Sequence, residues 1–167
     1  MNISMQKYKN AFSLVELLVV IAIIGILSTL IIYLSIDQKN KKDVESAANV
    51  AAARIREAQV AALAGHQQTP GSIPCLFRVI WGGNTITVQY LGKDSSGACG
   101  SVVTTMLSET LPSNVAFANG GAIDYSLPHA SLAGNATVVL QKGSYSAVVC
   151  PSTNGSIEVY KNTNVCP

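Results

Sequence analysis

The chain falls into three regimes of apolar and polar positions. Phe12 to Ile36, FSLVELLVVIAIIGILSTLIIYLSI, is apolar almost throughout, and Glu16 is its only charge. At about 1.5 Å rise per residue, the uncharged run from Leu17 to Ile36 forms a helix about long enough to cross a ~30 Å hydrocarbon core, so a membrane span is expected over 12–36. From Asp37 the sequence turns polar, DQKNKKDVE, yet it holds no glycine or proline that would stop a helix there. Val44, Ala48, Ala51, Ile55, Ala58 and Ala62 then recur at helical spacing, with Arg54, Arg56 and Glu57 off that stripe. One continuous helix from about Ser13 to Ala64 is predicted, ended by Gly65 with Pro70 and Gly71 beyond. The stripe is mostly alanine, which lets another layer approach closely and buries too little area for a coiled-coil seam. It is expected to pack on the chain's own sheet.

After Pro74 the period becomes alternating and punctuated by turns. Cys75–Trp81 and Thr85–Leu91, joined by Gly82, Gly83 and Asn84, read as a hairpin. Ser101–Met106, Val115–Ala118, Asp124–Leu127, Ala136–Gln141, Tyr145–Cys150 and Ser156–Tyr160 follow as further strands. The fold class is therefore α+β, one long amino-terminal helix on a small antiparallel β domain.

Length and charge narrow the partners. A chain of 167 residues has room for one membrane helix and one domain of roughly 100 residues. Lys7 and Lys9 stand in an acid-free stretch, Met1 to Ala11, and beyond His66 four basic residues balance four acidic ones. That balance gives no electrostatic footprint for nucleic acid. Cys75, Cys99, Cys150 and Cys166 all fall outside the expected span, and their even number suits an oxidising compartment. Three connectivities are open; Cys75 with Cys99 and Cys150 with Cys166 is preferred, because each closes a short loop rich in Gly, Ser or Asn. No Cys-x-x-Cys or histidine spacing suggests a metal, and no cofactor is expected.

Glu16 is costly where it stands, at about 2.5–3.5 kcal/mol for a carboxylate at full membrane depth, so something should neutralise it. The small Ala11, the aromatic Phe12, the carboxylate at the fifth place after the small residue and the long apolar helix together resemble the prepilin signal of type IV pilins and type II secretion pseudopilins. An ordinary secretory signal has a shorter apolar core, and its small-residue cleavage site follows that core, whereas here the small residue comes first. The resemblance implies cleavage by a prepilin peptidase between Ala11 and Phe12, methylation of Phe12, and pairing of Glu16 with the new ammonium of a neighbouring subunit. The usual glycine before the cut is replaced by Ala11, and the helix-kinking proline expected near Tyr33 is missing, which fits a minor subunit. The lysine counts on the two sides of the span, Lys7 and Lys9 against Lys39, Lys41 and Lys42, leave orientation open, so the resemblance decides it: leader in the cytoplasm, the rest outside an inner membrane.

A second resemblance, to the H-type minor pseudopilins of type II secretion and the FimT pilins, rests on ARIREAQVAAL, on LPSNV before an FA strand, and on VVLQKGSYSAVVCPSTNGSIEVY. Together with the prepilin signal and the apolar periodicities, it divides the chain into a leader at 1–11, a transmembrane helix at 12–36, an amphipathic continuation at 37–65 and an antiparallel β domain at 72–167. The FimT relatives that bind DNA carry arginines near the carboxyl end; here the tail, YKNTNVCP, has Lys161 alone. His66 and His129 lie at a helix end and beside Pro128 and read as surface residues. Asn135-Ala136-Thr137 matches a glycosylation acceptor, but the motif context is prokaryotic. Trp81 and Tyr90 read as packing residues. No phosphate-binding loop or nucleophile elbow occurs, so no enzyme is expected. The reading is a structural minor subunit whose partners are prepilin peptidase, other pilin or pseudopilin subunits and the membrane. The alternative is a membrane-tethered binding module for DNA uptake, adhesion or a secreted-protein cargo.

Overall fold

The structure, a computed structural model, describes residues 13–65, 74–93, 96–132 and 136–167, without the side chains of residues 30–34, 101–102 and 113. Among the described residues, a 51-residue helix, α1 (Leu14–Ala64), precedes nine strands. The chain divides into two compact units, residues 1–38 and 39–167.

In the first unit α1 is apolar on every side, and Leu14, Val15, Leu18, Ile21, Ile24, Ile26 and Leu27 are all exposed. A helix apolar all round needs an apolar surrounding. Two of its hydroxyls bond to the helix's own carbonyls: Ser28 Oγ donates to the Ile24 carbonyl at 2.7 Å and Thr29 Oγ1 to the Ile26 carbonyl at 2.8 Å. The expected membrane span at 12–36 is not supported by the structure, since among the described residues no helix is long and apolar enough to cross a membrane.

In the second unit one helical face is fully covered. Val44, Ala47, Ala48, Ala51, Ala52, Ile55, Ala58 and Ala62 are all buried. The strands form two antiparallel sheets. The larger runs in the order β3-β2-β1-β5-β6, from β1 (Pro74–Gly82), β2 (Thr85–Lys93), β3 (Cys99–Thr110), β5 (Gly121–Ser126) and β6 (Ser131–Leu132). The smaller runs β4-β7-β8-β9, from β4 (Ala116–Phe117), β7 (Val138–Lys142), β8 (Tyr145–Pro151) and β9 (Ile157–Lys161). Both two-residue hairpin loops place glycine first, Gly83 at φ 58° and Gly143 at φ 61°, where a β-carbon would be strained.

A single cluster of buried side chains joins the helical stripe to Phe77, Val79 and Trp81 of β1, Ile86, Val88 and Tyr90 of β2, and Leu140, Ala147 and Val149 of the smaller sheet. Trp81 and Tyr90 are thus core, as their place on the hairpin suggests. Trp81 is seated by Gly121, its cross-strand partner, where a β-carbon would lie 2.6 Å from the indole Cζ2. β3 runs beyond the expected Ser101–Met106 to Thr110, and β6 has no counterpart in the sequence reading. Both lie at sheet edges, where half-solvated Ser and Thr blur the alternation.

Candidate functional site

Glu16 lies in the first turn of α1, where Leu17 N donates to the Ser13 carbonyl at 3.1 Å. The unpaired amides of a helix start favour a carboxylate there. Glu16 is exposed and flanked by exposed Val15, Leu17 and Val19. An acid so placed can accept a cation from another chain. Ala11 and Phe12, the expected processing pair, lie outside the described residues, as do His66 and Asn135.

The second unit is held by a set of polar contacts between helix and strands. Lys142 Nζ donates to Asp43 Oδ2 at 2.7 Å, Lys161 Nζ to Glu45 Oε2 at 3.0 Å, and Arg54 Nε to Glu109 Oε2 at 2.5 Å. Arg54 also reaches Glu57, and its hydrogen bonds to Glu109 and then Glu57 raise its pKa further. Arg56 Nη2 donates to the Ile157 carbonyl at 2.7 Å and Gln59 Nε2 to the Gly155 carbonyl at 3.1 Å. Sequence reasoning missed these pairs, although Asp43 and Glu45 at the start of the alanine stripe were the available signal. On the outer face of the larger sheet, Arg78 grips Asp124 with two hydrogen bonds of 2.6 and 2.7 Å between paired positions of β1 and β5.

Two disulfides are present, Cys75–Cys99 and Cys150–Cys166. The second fixes the carboxyl-terminal segment to β8. Asn162 N donates to the Ser146 carbonyl at 2.9 Å and turns the chain back after β9, with Asn162 itself at φ 56°. Cys150, Glu158 and Tyr160 alternate with core residues Val149 and Ile157 across β8 and β9, which places them on the sheet's outer face. Val148 is fully buried yet outside the core cluster, as expected if the returning segment covers it from that side.

Beside this disulfide lies a surface cleft of about 290 Å³, whose lining includes Thr137, Pro151, Ser152, Ser156, Glu158 and Tyr160. The Tyr160 hydroxyl donates to the Glu158 carboxylate, and this bond raises the phenol pKa. Cys166 Sγ is 3.7 Å from Thr137 Oγ1. Among the described residues that line the cleft, Glu158 is the only ionisable side chain apart from the tyrosine and the bridged cysteines. His129 is exposed in a turn, and among the described residues no group of His, Cys, Asp and Glu could hold a metal ion.

Glu16 in the first turn of α1 and the apolar residues that follow it fall in the one stretch of the chain that a known family matches. Residues 6–32 match the family described as the prokaryotic N-terminal methylation motif. The motif supports a type IV pilin-like or pseudopilin protein, a structural rather than enzymatic family. It implies processing by prepilin peptidase and assembly with other pilin subunits, and it suggests membrane anchoring. No curated protein and no solved structure matches the chain.

Proposed function

We propose that this protein is a minor subunit of a type II secretion pseudopilus or a type IV pilus, stored in the inner membrane by the Phe12 to Ile36 segment and drawn into a filament after processing. The observation that carries the reading is Glu16, a lone exposed carboxylate in the first turn of an apolar helix, within the matched methylation motif. Cleavage between Ala11 and Phe12 frees an ammonium on Phe12. That ammonium offsets Glu16 of a neighbouring subunit, so a charge that is costly alone becomes a register for assembly. The missing proline near Tyr33 and the likeness to the H-type pseudopilins and FimT pilins support the minor role. The carboxyl-terminal unit faces the periplasm or the exterior, which suits its disulfides.

Intact-mass measurement of the membrane-extracted chain tests processing. The expected species lacks Met1 to Ala11 and carries a methyl group on Phe12; an amino terminus at Met1 rejects the reading. Glu16→Val protein should insert in the membrane at wild-type levels but be lost from filament or partner subunits on co-purification. Equal recovery of the two would favour a tethered binding module over an assembled subunit.

A further inference from the structure

Among the described residues of the folded unit, every acidic side chain but one meets a cation. Asp43, Glu45, Glu57, Glu109 and Asp124 each meet a Lys or Arg within 3.0 Å. Glu158 is that exception; it accepts a hydrogen bond from the Tyr160 hydroxyl. It is exposed and opens into the cleft beside Cys150–Cys166, where Thr137, Ser152 and Ser156 add hydroxyl groups and Pro151 and Ala136 add apolar surface. At about 290 Å³ the cleft lies at the bottom of the range for small-molecule sites, which suits a single side chain rather than an extended ligand. Its charge repels phosphate and so disfavours nucleic acid.

We propose that this cleft is a docking site for a lysine side chain of a neighbouring pilin-type subunit, with Glu158 as its counter-ion. The apolar wall takes the lysine stem, the hydroxyls and Glu158 take the ammonium, and Tyr160 fixes the carboxylate's position by its hydrogen bond. Charge complementarity supports this occupant, because subunits of this type can carry exposed ammonium groups at the start of the folded unit, as Lys39 and Lys42 do here. The proposal rests on the assembly reading above and names a contact outside the apolar helix.

The test is zero-length carbodiimide cross-linking of membranes or filaments that contain the full chain, prepared from cells that co-express it with a copy carrying a conservative mass-shifting substitution in the Glu158 peptide, and mapped by mass spectrometry. The expected product is an amide between Glu158 and a lysine of another pilin-type subunit, and a second substitution of the same kind in the lysine peptides of that copy marks a link between two copies by its mixed masses. A link to a lysine of the same molecule, a link to a secreted protein that is not a subunit, or no link at Glu158 would overturn the proposal. Glu158→Gln, at an exposed site and of equal size, should lower co-purification with subunits about two- to fivefold, the range a partly exposed ion pair gives. Unchanged recovery of Glu158→Gln counts against it equally. Leader removal and Phe12 methylation, read on the same samples, report on the assembly reading separately: intact processing with no Glu158 link rejects the docking site alone.

Discussion

Lys142 and Asp43 meet at 2.7 Å with side chains 24% and 16% exposed, the least solvated, among the described residues, of the ion pairs that tie strands to the helix. The Lys161–Glu45 pair nearby has its lysine 56% exposed. Solvation separates their expected worth. Lys142→Ala should cost about 1 kcal/mol, and Lys161→Ala less than about 0.5 kcal/mol. Denaturant midpoints of the full chain in detergent check this; equal losses would mean that burial does not distinguish the pairs.

Ala51 is fully buried, whereas Ala53, two residues on, is exposed. Ala51→Leu should push helix and sheet apart and cost about 1–3 kcal/mol, while Ala53→Leu should stay within about 0.5 kcal/mol. The same denaturation series decides it. A harmless Ala51→Leu would contradict close approach of the helix.

The two disulfides close loops with sequence separations of 24 and 16 residues. On chain-entropy grounds each should contribute about 3 kcal/mol. Single Cys→Ser pairs, Cys75/Cys99 and Cys150/Cys166, should each lower the midpoint, and reduction of wild type should lower it further than either. Peptide mapping without reduction checks the pairing itself.

Tyr125 is buried, its hydroxyl finds no partner among the described residues, and burial pushes its pKa up to about 12. The folded pKa therefore stands above the unfolded value near 10. Its contribution is fully present below pH 10 and lost as pH rises toward 12, because the unfolded chain ionises first. The loss should reach about 2.7 kcal/mol, at about 1.36 kcal/mol per pKa unit. Tyr125→Phe should match or exceed wild type at neutral pH and flatten the alkaline decline. A decline of unchanged slope in the variant would assign it to other groups.

Much of the fold is legible in the sequence because its signals are periodic. Val44, Ala48, Ala51, Ile55, Ala58 and Ala62 repeat along one helical face, and all are buried. The hairpins at Gly83 and Gly143 announce themselves by turn chemistry. The split into two sheets is not legible, because strand order depends on pairings far apart in the chain, such as Leu76 with Ser126. The cleft is equally hidden: Glu158 and Tyr160 look like ordinary outer-face residues until the segment ending at Cys166 folds back beside them. Lys142 with Asp43 and Lys161 with Glu45 join positions about a hundred residues apart, and no local pattern encodes such a distance.

The seat of Trp81 on Gly121 bears on how this chain can vary over time. The indole already fills the space where any other residue at 121 would put its first side-chain carbon. A change at 121 alone meets a rigid aromatic ring anchored in the core, and a change at 81 alone leaves a hollow above a bare backbone. The two positions are therefore expected to drift together or not at all, a smaller residue at 81 opening the way for a larger one at 121.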